Sequence, residues 1–115
     1  MASHLCKGLF LVILVGCTSF DDLRYEGAAE TRKLAAELRS IETKEELQRA
    51  VPRLKKRFNR LADLMIAVRS YSVEEPEPSP ESEQLFIELA RLYEMAGGKE
   101  LIESAQTDAV LRLKR

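Results

Sequence analysis

The chain predicts an all-α fold, a small bundle of about four helices, and three observations carry that prediction. Apolar residues recur at helical spacing in four stretches, start and stop signals bracket those stretches, and nothing alternates with the period of two that a strand needs. The 115 residues are 45% apolar and 32% charged. That share of apolar residues is too high for a disordered chain, and two half-length domains would be too small to bury separate cores. Eighteen basic and nineteen acidic residues leave a net charge of −1. No global field therefore recruits nucleic acid.

Helical periodicity follows a short polar stretch, Thr18 to Asp22. Leu34, Leu38 and Ile41 stand at i, i+4 and i+7, with Ala28, Ala35 and Ala36 beside them, and predict a helix over about 24–41. Thr43 and Glu46 then fit a capping box, with Thr43 at the N-cap and Glu46 reaching back from N3. Leu47, Val51, Leu54, Phe58, Leu61, Met65 and Val68 follow at alternating steps of four and three, a heptad seam on a long second helix. Ala50, Ala62, Leu64 and Ile66 widen the stripe toward that of a bundle core. Pro52 lies inside the seam, where it lacks a backbone donor and crowds the Gln48 carbonyl. The unbroken phase of the seam predicts a kink at Pro52, with a fresh start there as the alternative.

Residues 73–79 read as a linker, because Pro76, Pro78 and three glutamates favour an extended, solvated backbone. Ser79, Pro80 and Glu81 supply an N-cap, a proline at N1 and an acid in the first turn. Leu85, Leu89, Leu92 and Ala96 form the inner stripe of the helix that follows, broadened by Phe86 and Tyr93. Gly97-Gly98 stops that helix and permits a reversal into a last helix over about 99–113, giving a C-terminal αα-hairpin. Leu89, Ala90, Tyr93 and Gly97, with Ala109 further on, resemble part of a tetratricopeptide unit. No second copy follows, and one such repeat cannot bury its own face. An ordinary αα-hairpin accounts for the pattern.

The first sixteen residues are of another kind. They hold Lys7 and His4 but no acid, and the run Leu9 to Val15 is wholly apolar before the small Gly16. A positive region, an apolar run and a small residue at a cleavage point are the three parts of an export signal. The run is far short of the ~20 residues that span a bilayer. Leu14-Val15-Gly16-Cys17 resembles the lipobox of bacterial lipoproteins. The resemblance implies that 1–16 is a cleaved signal peptide, with the cut between Gly16 and Cys17 and acyl chains on Cys17. It implies a lipidated tether over 17–23, a helical domain over 24–115, and a membrane-anchored location in the bacterial cell envelope. Thr18 rather than Asp after the cysteine favours the periplasmic face of the outer membrane in a diderm source. Two or more acyl chains, at about 0.8 kcal/mol per buried CH₂, hold a protein on a membrane effectively for good. The alternative is a chance cysteine at the end of a short anchor helix.

Enzyme and cofactor readings fail by absence. His4 is the sole histidine, and it leaves with the signal, as does Cys6. With the Cys17 thiol consumed as a thioether, the mature chain has no nucleophile pair, no His- or Cys-based metal site and no disulfide. Small periplasmic four-helix cytochromes are similar in length and layout, but Met65 and Met95 have no axial histidine to join them. Met65 reads as core. Glu74, Glu75, Glu77, Glu81 and Glu83 crowd in or beside the linker, where carboxyls are solvated rather than held in the contrasting rigid environments that acid–base catalysis needs.

Arg53, Lys55, Lys56, Arg57 and Arg60 form a basic run on the outer side of the heptad seam. A solvated helix face explains it. The sharper reading is contact with anionic head groups beside the anchor, at about 1 kcal/mol per basic residue, and the acidic linker folding back onto the run competes with both. The expected function is that of a lipid-anchored helical envelope lipoprotein, a structural or protein-interaction module that meets a protein partner through apolar helical surface. A pilot or assembly chaperone for a secretion or outer-membrane complex is the alternative. That role needs an exposed apolar groove, and Leu64, Ile66, Phe86 and Leu111 are the surplus apolar residues that could line one.

Overall fold

The computed structural model describes residues 20–71 and 79–114, and every regular element among them is a helix. Helix α1 runs Phe20–Arg39, α2 Lys44–Arg69, α3 Pro80–Glu94 and α4 Gly98–Leu113. The signal over 1–16, the lipobox with Gly16 and Cys17, and linker residues 73–78 lie outside the described residues.

The first helix starts four residues earlier than its apolar pattern predicts. Phe20, Asp21 and Asp22, expected in the tether over 17–23, form its first turn. Two aspartates there sit among unsatisfied N–H groups at the positive end of the helix dipole, so charge rather than periodicity sets this boundary. Phe20 is also held by its surroundings: its ring centroid lies 6.4 Å from that of Tyr71, and the Arg24 guanidinium stands 5.7 Å above it. At the other end α1 stops at Arg39, two residues short of Ile41, which turns inward and is buried.

Thr43 caps α2 as its spacing requires, its hydroxyl accepting from the Glu46 N–H at 3.1 Å. The return bond differs. Glu46 accepts from the backbone N–H of Glu42 at 3.2 Å, one residue before the N-cap. Through Pro52 the helix continues without interruption, so no fresh start occurs there. The proline ring is exposed, which places the missing donor on the wet side of the helix.

Along α2 the seam holds for its first three turns and then loses its cover. Leu47, Leu54 and Phe58 are buried, yet Met65, expected in the core, is 38% exposed and Ile66 stands beside it in solvent. The reason lies in helix lengths. Helix α3 has 15 residues against 20 in α1 and lies along the C-terminal half of α1, where Arg91 reaches Leu38 and Arg39. The last turns of α2 meet the other end of α1, beyond the reach of α3.

Helix α1 packs on α2 and α3, and α4 packs on the same two, so α1 faces α4 and α2 faces α3 across the diagonals. Pairs 37–53 and 26–60 run α1 and α2 antiparallel, whereas 55–108 and 63–112 run α2 and α4 in the same direction. The chain is thus two helical hairpins stacked face to face. Ala50, Ala62, Ala105 and Ala109 are buried on α2 and α4, and such small residues allow close approach. Leu34, Leu38, Leu47, Leu54, Leu92 and Ile102 fill the space between the hairpins and are fully buried, each contributing about 1.5–3 kcal/mol of transfer free energy.

The reversal between α3 and α4 depends on two glycines for different reasons. Gly97 has φ +76°, the left-handed region, and a Cβ there would also meet Lys44 Cε at 2.9 Å. Gly98 is crowded rather than twisted: a Cβ on it would overlap the Leu92 carbonyl.

Candidate interaction surfaces

Charge is spent differently on the two hairpins, beginning with the basic run. Arg53 Nε donates to Glu37 at 3.0 Å and Arg57 Nε donates to the same carboxylate at 2.9 Å. Arg57 also stands 3.6 Å from Glu30, and Arg60 lies 3.7 Å from Glu26. These pairs run the length of the α1–α2 groove, which is lined by Glu30, Glu37, Arg53, Lys56, Arg57 and Arg60. Lys55 turns the other way and meets Asp108 of α4 at 3.2 Å. The run lies exposed at the rim of that groove, with Arg57 half-buried, and Arg53, Arg57 and Arg60 flank the seam and pair with acids of the neighbouring helix. Among the described residues, only Lys56 of the five forms no ion pair. Sequence spacing could show the phase of these cations but not their partners, which lie at least sixteen residues away on another helix.

Burial alone would push the Glu37 carboxyl up; hydrogen bonds from Arg53 and Arg57, with their charges, outweigh it and hold Glu37 below the usual carboxylate range. The α1–α3 contact has its own buried acid, which periodicity did not single out. Glu88 is 6% exposed, and it accepts from Arg91 Nε at 3.0 Å, Gln84 Nε2 at 3.0 Å and Arg39 Nε at 3.4 Å. Burial again pushes upward, and donation from Arg91, Arg39 and Gln84 brings the net shift below the ordinary value. Arg91 does a second job. Its other nitrogen donates to the Leu38 carbonyl at 2.8 Å, satisfying an acceptor that the end of α1 leaves open. Every buried side-chain polar atom among the described residues has a partner.

The outer face of the second hairpin is different. Phe86, Ile87, Val110 and Leu111 are exposed, Phe86 by 69% and Leu111 by 55%. Tyr93 is partly exposed on the same side; its hydroxyl lies 3.5 Å from Gln106 Oε1, which fixes the register of α3 against α4. Burial raises the Tyr93 phenol above its usual value, and the nearby Glu103 charge adds to that. Of the four surplus apolar residues, Ile66, Phe86 and Leu111 reach solvent, while Leu64 is buried at 5% and belongs to the fold.

No described helix is long and apolar enough to cross a membrane, and no group of three or more His, Cys, Asp or Glu among the described residues could hold a metal ion. No protein-family model, curated protein or solved structure matches the chain.

Proposed function

We propose that the protein is a lipid-anchored helical module of the bacterial envelope that engages a protein partner. The observation that carries the interaction half is the outward display of Phe86, Ile87, Val110 and Leu111 on a domain that otherwise pairs its buried polar groups within itself. Clustered apolar side chains held in water mark interaction surfaces. The anchoring half rests on Leu14-Val15-Gly16-Cys17, with the acyl chains on Cys17 as the membrane contact. Four of the five basic residues pair with acids of neighbouring helices, and those pairs compete with head-group contact by the run.

Pilot or assembly-chaperone activity is a second reading, favoured by the exposure of Ile66, Phe86 and Leu111, which supplies an apolar surface for a client. Two experiments test the proposal. Metabolic labelling with a fatty acid should mark the wild type and fail with Cys17→Ser; a labelled, membrane-bound Cys17→Ser protein would end the anchoring reading. A photoreactive residue placed at position 86, and in a second variant at position 33, should crosslink the anchored protein to another polypeptide in native envelopes. Adducts at neither position would end the interaction reading.

A further inference from the structure

The acids of the second hairpin give its exposed face a direction. Glu94, Glu100 and Glu103 stand at the Gly97 end, all exposed, and none of them forms an ion pair among the described residues; Lys99 and Lys44 lie at the same end, where the acids outnumber them. Phe86 and Val110 lie toward the opposite end of the same face, and Tyr93 with Gln106 sits between the two zones. Phe86, Ala90 and Tyr93 recur at i, i+4 and i+7 on α3, while Glu103, Thr107 and Val110 repeat that spacing on α4. Two antiparallel ridges of this kind leave a groove between them that suits a third helix. The opposite face of this hairpin is already covered by α1 and α2 in that manner.

We infer that the α3–α4 outer groove receives an amphipathic helix of a second protein, with apolar anchors over Phe86 and Val110 and basic side chains over Glu94, Glu100 and Glu103. This rests on the interaction reading above and adds the site and the chemistry of the partner. Charge complementarity selects this occupant. The acids attract Lys and Arg and raise the association rate, while the apolar end supplies the buried contact. A bilayer is a poorer occupant, because anionic head groups would be repelled by the acids that share the face with its apolar residues. A second copy meets the same objection if it docks by the same face, acid against acid.

The test uses the full-length anchored protein in nanodiscs, with empty nanodiscs as the blank. The probe is a fluorescein-labelled 18-residue synthetic helix with Leu at heptad positions a and d and Lys elsewhere; a matched helix carries Glu in place of Lys. The Lys helix should bind, and the Glu helix should not. Phe86→Ser, and separately the double change Glu94→Lys with Glu103→Lys, should weaken binding on the order of tenfold. Lys33→Ser on the other hairpin should leave it unchanged. All the altered side chains are exposed, and a photoreactive residue at position 86 in otherwise unchanged protein gives an independent reading by crosslinking the Lys helix. Equal binding of the two helices, insensitivity to the charge reversal, or a Phe86-dependent homodimer or bilayer contact in place of peptide binding would overturn the inference. Native crosslinks arising from position 33 alone would overturn it too, while leaving the interaction reading intact.

Discussion

The two hairpins are built from the same kinds of residue and differ in the sign of their charge and in how their acids are placed. Residues 20–71 carry twelve basic and nine acidic side chains, a net of +3, whereas residues 79–114 carry four and seven, a net of −3. In the first hairpin the acids of α1 lie against the cations of α2, so Glu26, Glu30 and Glu37 are consumed by Arg53, Arg57 and Arg60. In the second, Glu94, Glu100 and Glu103 face solvent and form no ion pair among the described residues, although Lys99 and Lys44 stand at the same end. The difference teaches where to look for function in a helical domain without catalytic groups. Charge that closes a groove belongs to the fold; charge left open beside exposed apolar side chains is available to something else.

The core does not share this asymmetry, and the largest effects should therefore fall equally on both hairpins. Leu34→Ala in α1 and Leu92→Ala in α3 each remove a side chain with no exposed surface, and each should cost about 2–5 kcal/mol in denaturant unfolding. A loss for Leu92→Ala well below that for Leu34→Ala would mean that the second hairpin is only loosely joined to the first. Next in size is Gly98→Ala. Its new methyl would overlap the Leu92 carbonyl, and the overpacked turn should cost about 1–3 kcal/mol in the same measurement.

The buried acids extend the comparison to pH. Glu88 and Glu37 are both held below the ordinary carboxylate value, which is about 4.3 in an unfolded chain. A carboxyl with a depressed folded pKa stabilises fully above its unfolded value and loses that contribution as the pH falls through the folded one. Unfolding free energy should therefore fall on acidification from about pH 5 downward. Glu88→Gln should flatten that dependence and cost on the order of 1–3 kcal/mol at neutral pH, since Glu88 is buried and its donors lose a charged acceptor. Glu37→Gln should cost less, about 1 kcal/mol, because Arg53 is 61% exposed and can return to water. A Glu88→Gln protein as acid-sensitive as the wild type would show that the α1–α3 contact does not depend on this carboxylate.

How much of this was legible in the sequence follows from the range of each interaction. Caps and turns act within a few residues, so Thr43, Ser79 and Pro80 were readable as punctuation and stand at those places in the helices. Gly97, expected to stop α3 after Ala96, stands instead at the N-cap of α4, because α3 has already ended at Glu94. The heptad seam of α2 was readable until its cover ended. Met65 has the right phase for burial but faces the end of the bundle that α3 does not reach, and the length of a neighbouring helix is not written in the local pattern. The ion pairs were illegible for the same reason: Glu37 and Arg57 are twenty residues apart and meet only through the α1–α2 turn. Phe86 was readable in two ways, as a broadening of the inner stripe and as a surplus apolar residue for a groove, and only the cover on one side of the stripe decides between them.

That residue gives the smallest stability effect and the sharpest contrast. Phe86 is 69% exposed, so Phe86→Ser removes little buried surface and should shift unfolding free energy by no more than about 0.5 kcal/mol. A residue of the first hairpin with comparable bulk, Phe58, is 7% exposed, and Phe58→Ala should cost about 3–5 kcal/mol. Evaluated together by denaturant unfolding and by partner crosslinking, the two changes should separate cleanly. Phe58→Ala should lose stability and carry any loss of binding with it, while Phe86→Ser should lose binding alone. Should Phe86→Ser instead unfold the domain, the side chain would be part of the core, and the second hairpin would have no apolar face to offer.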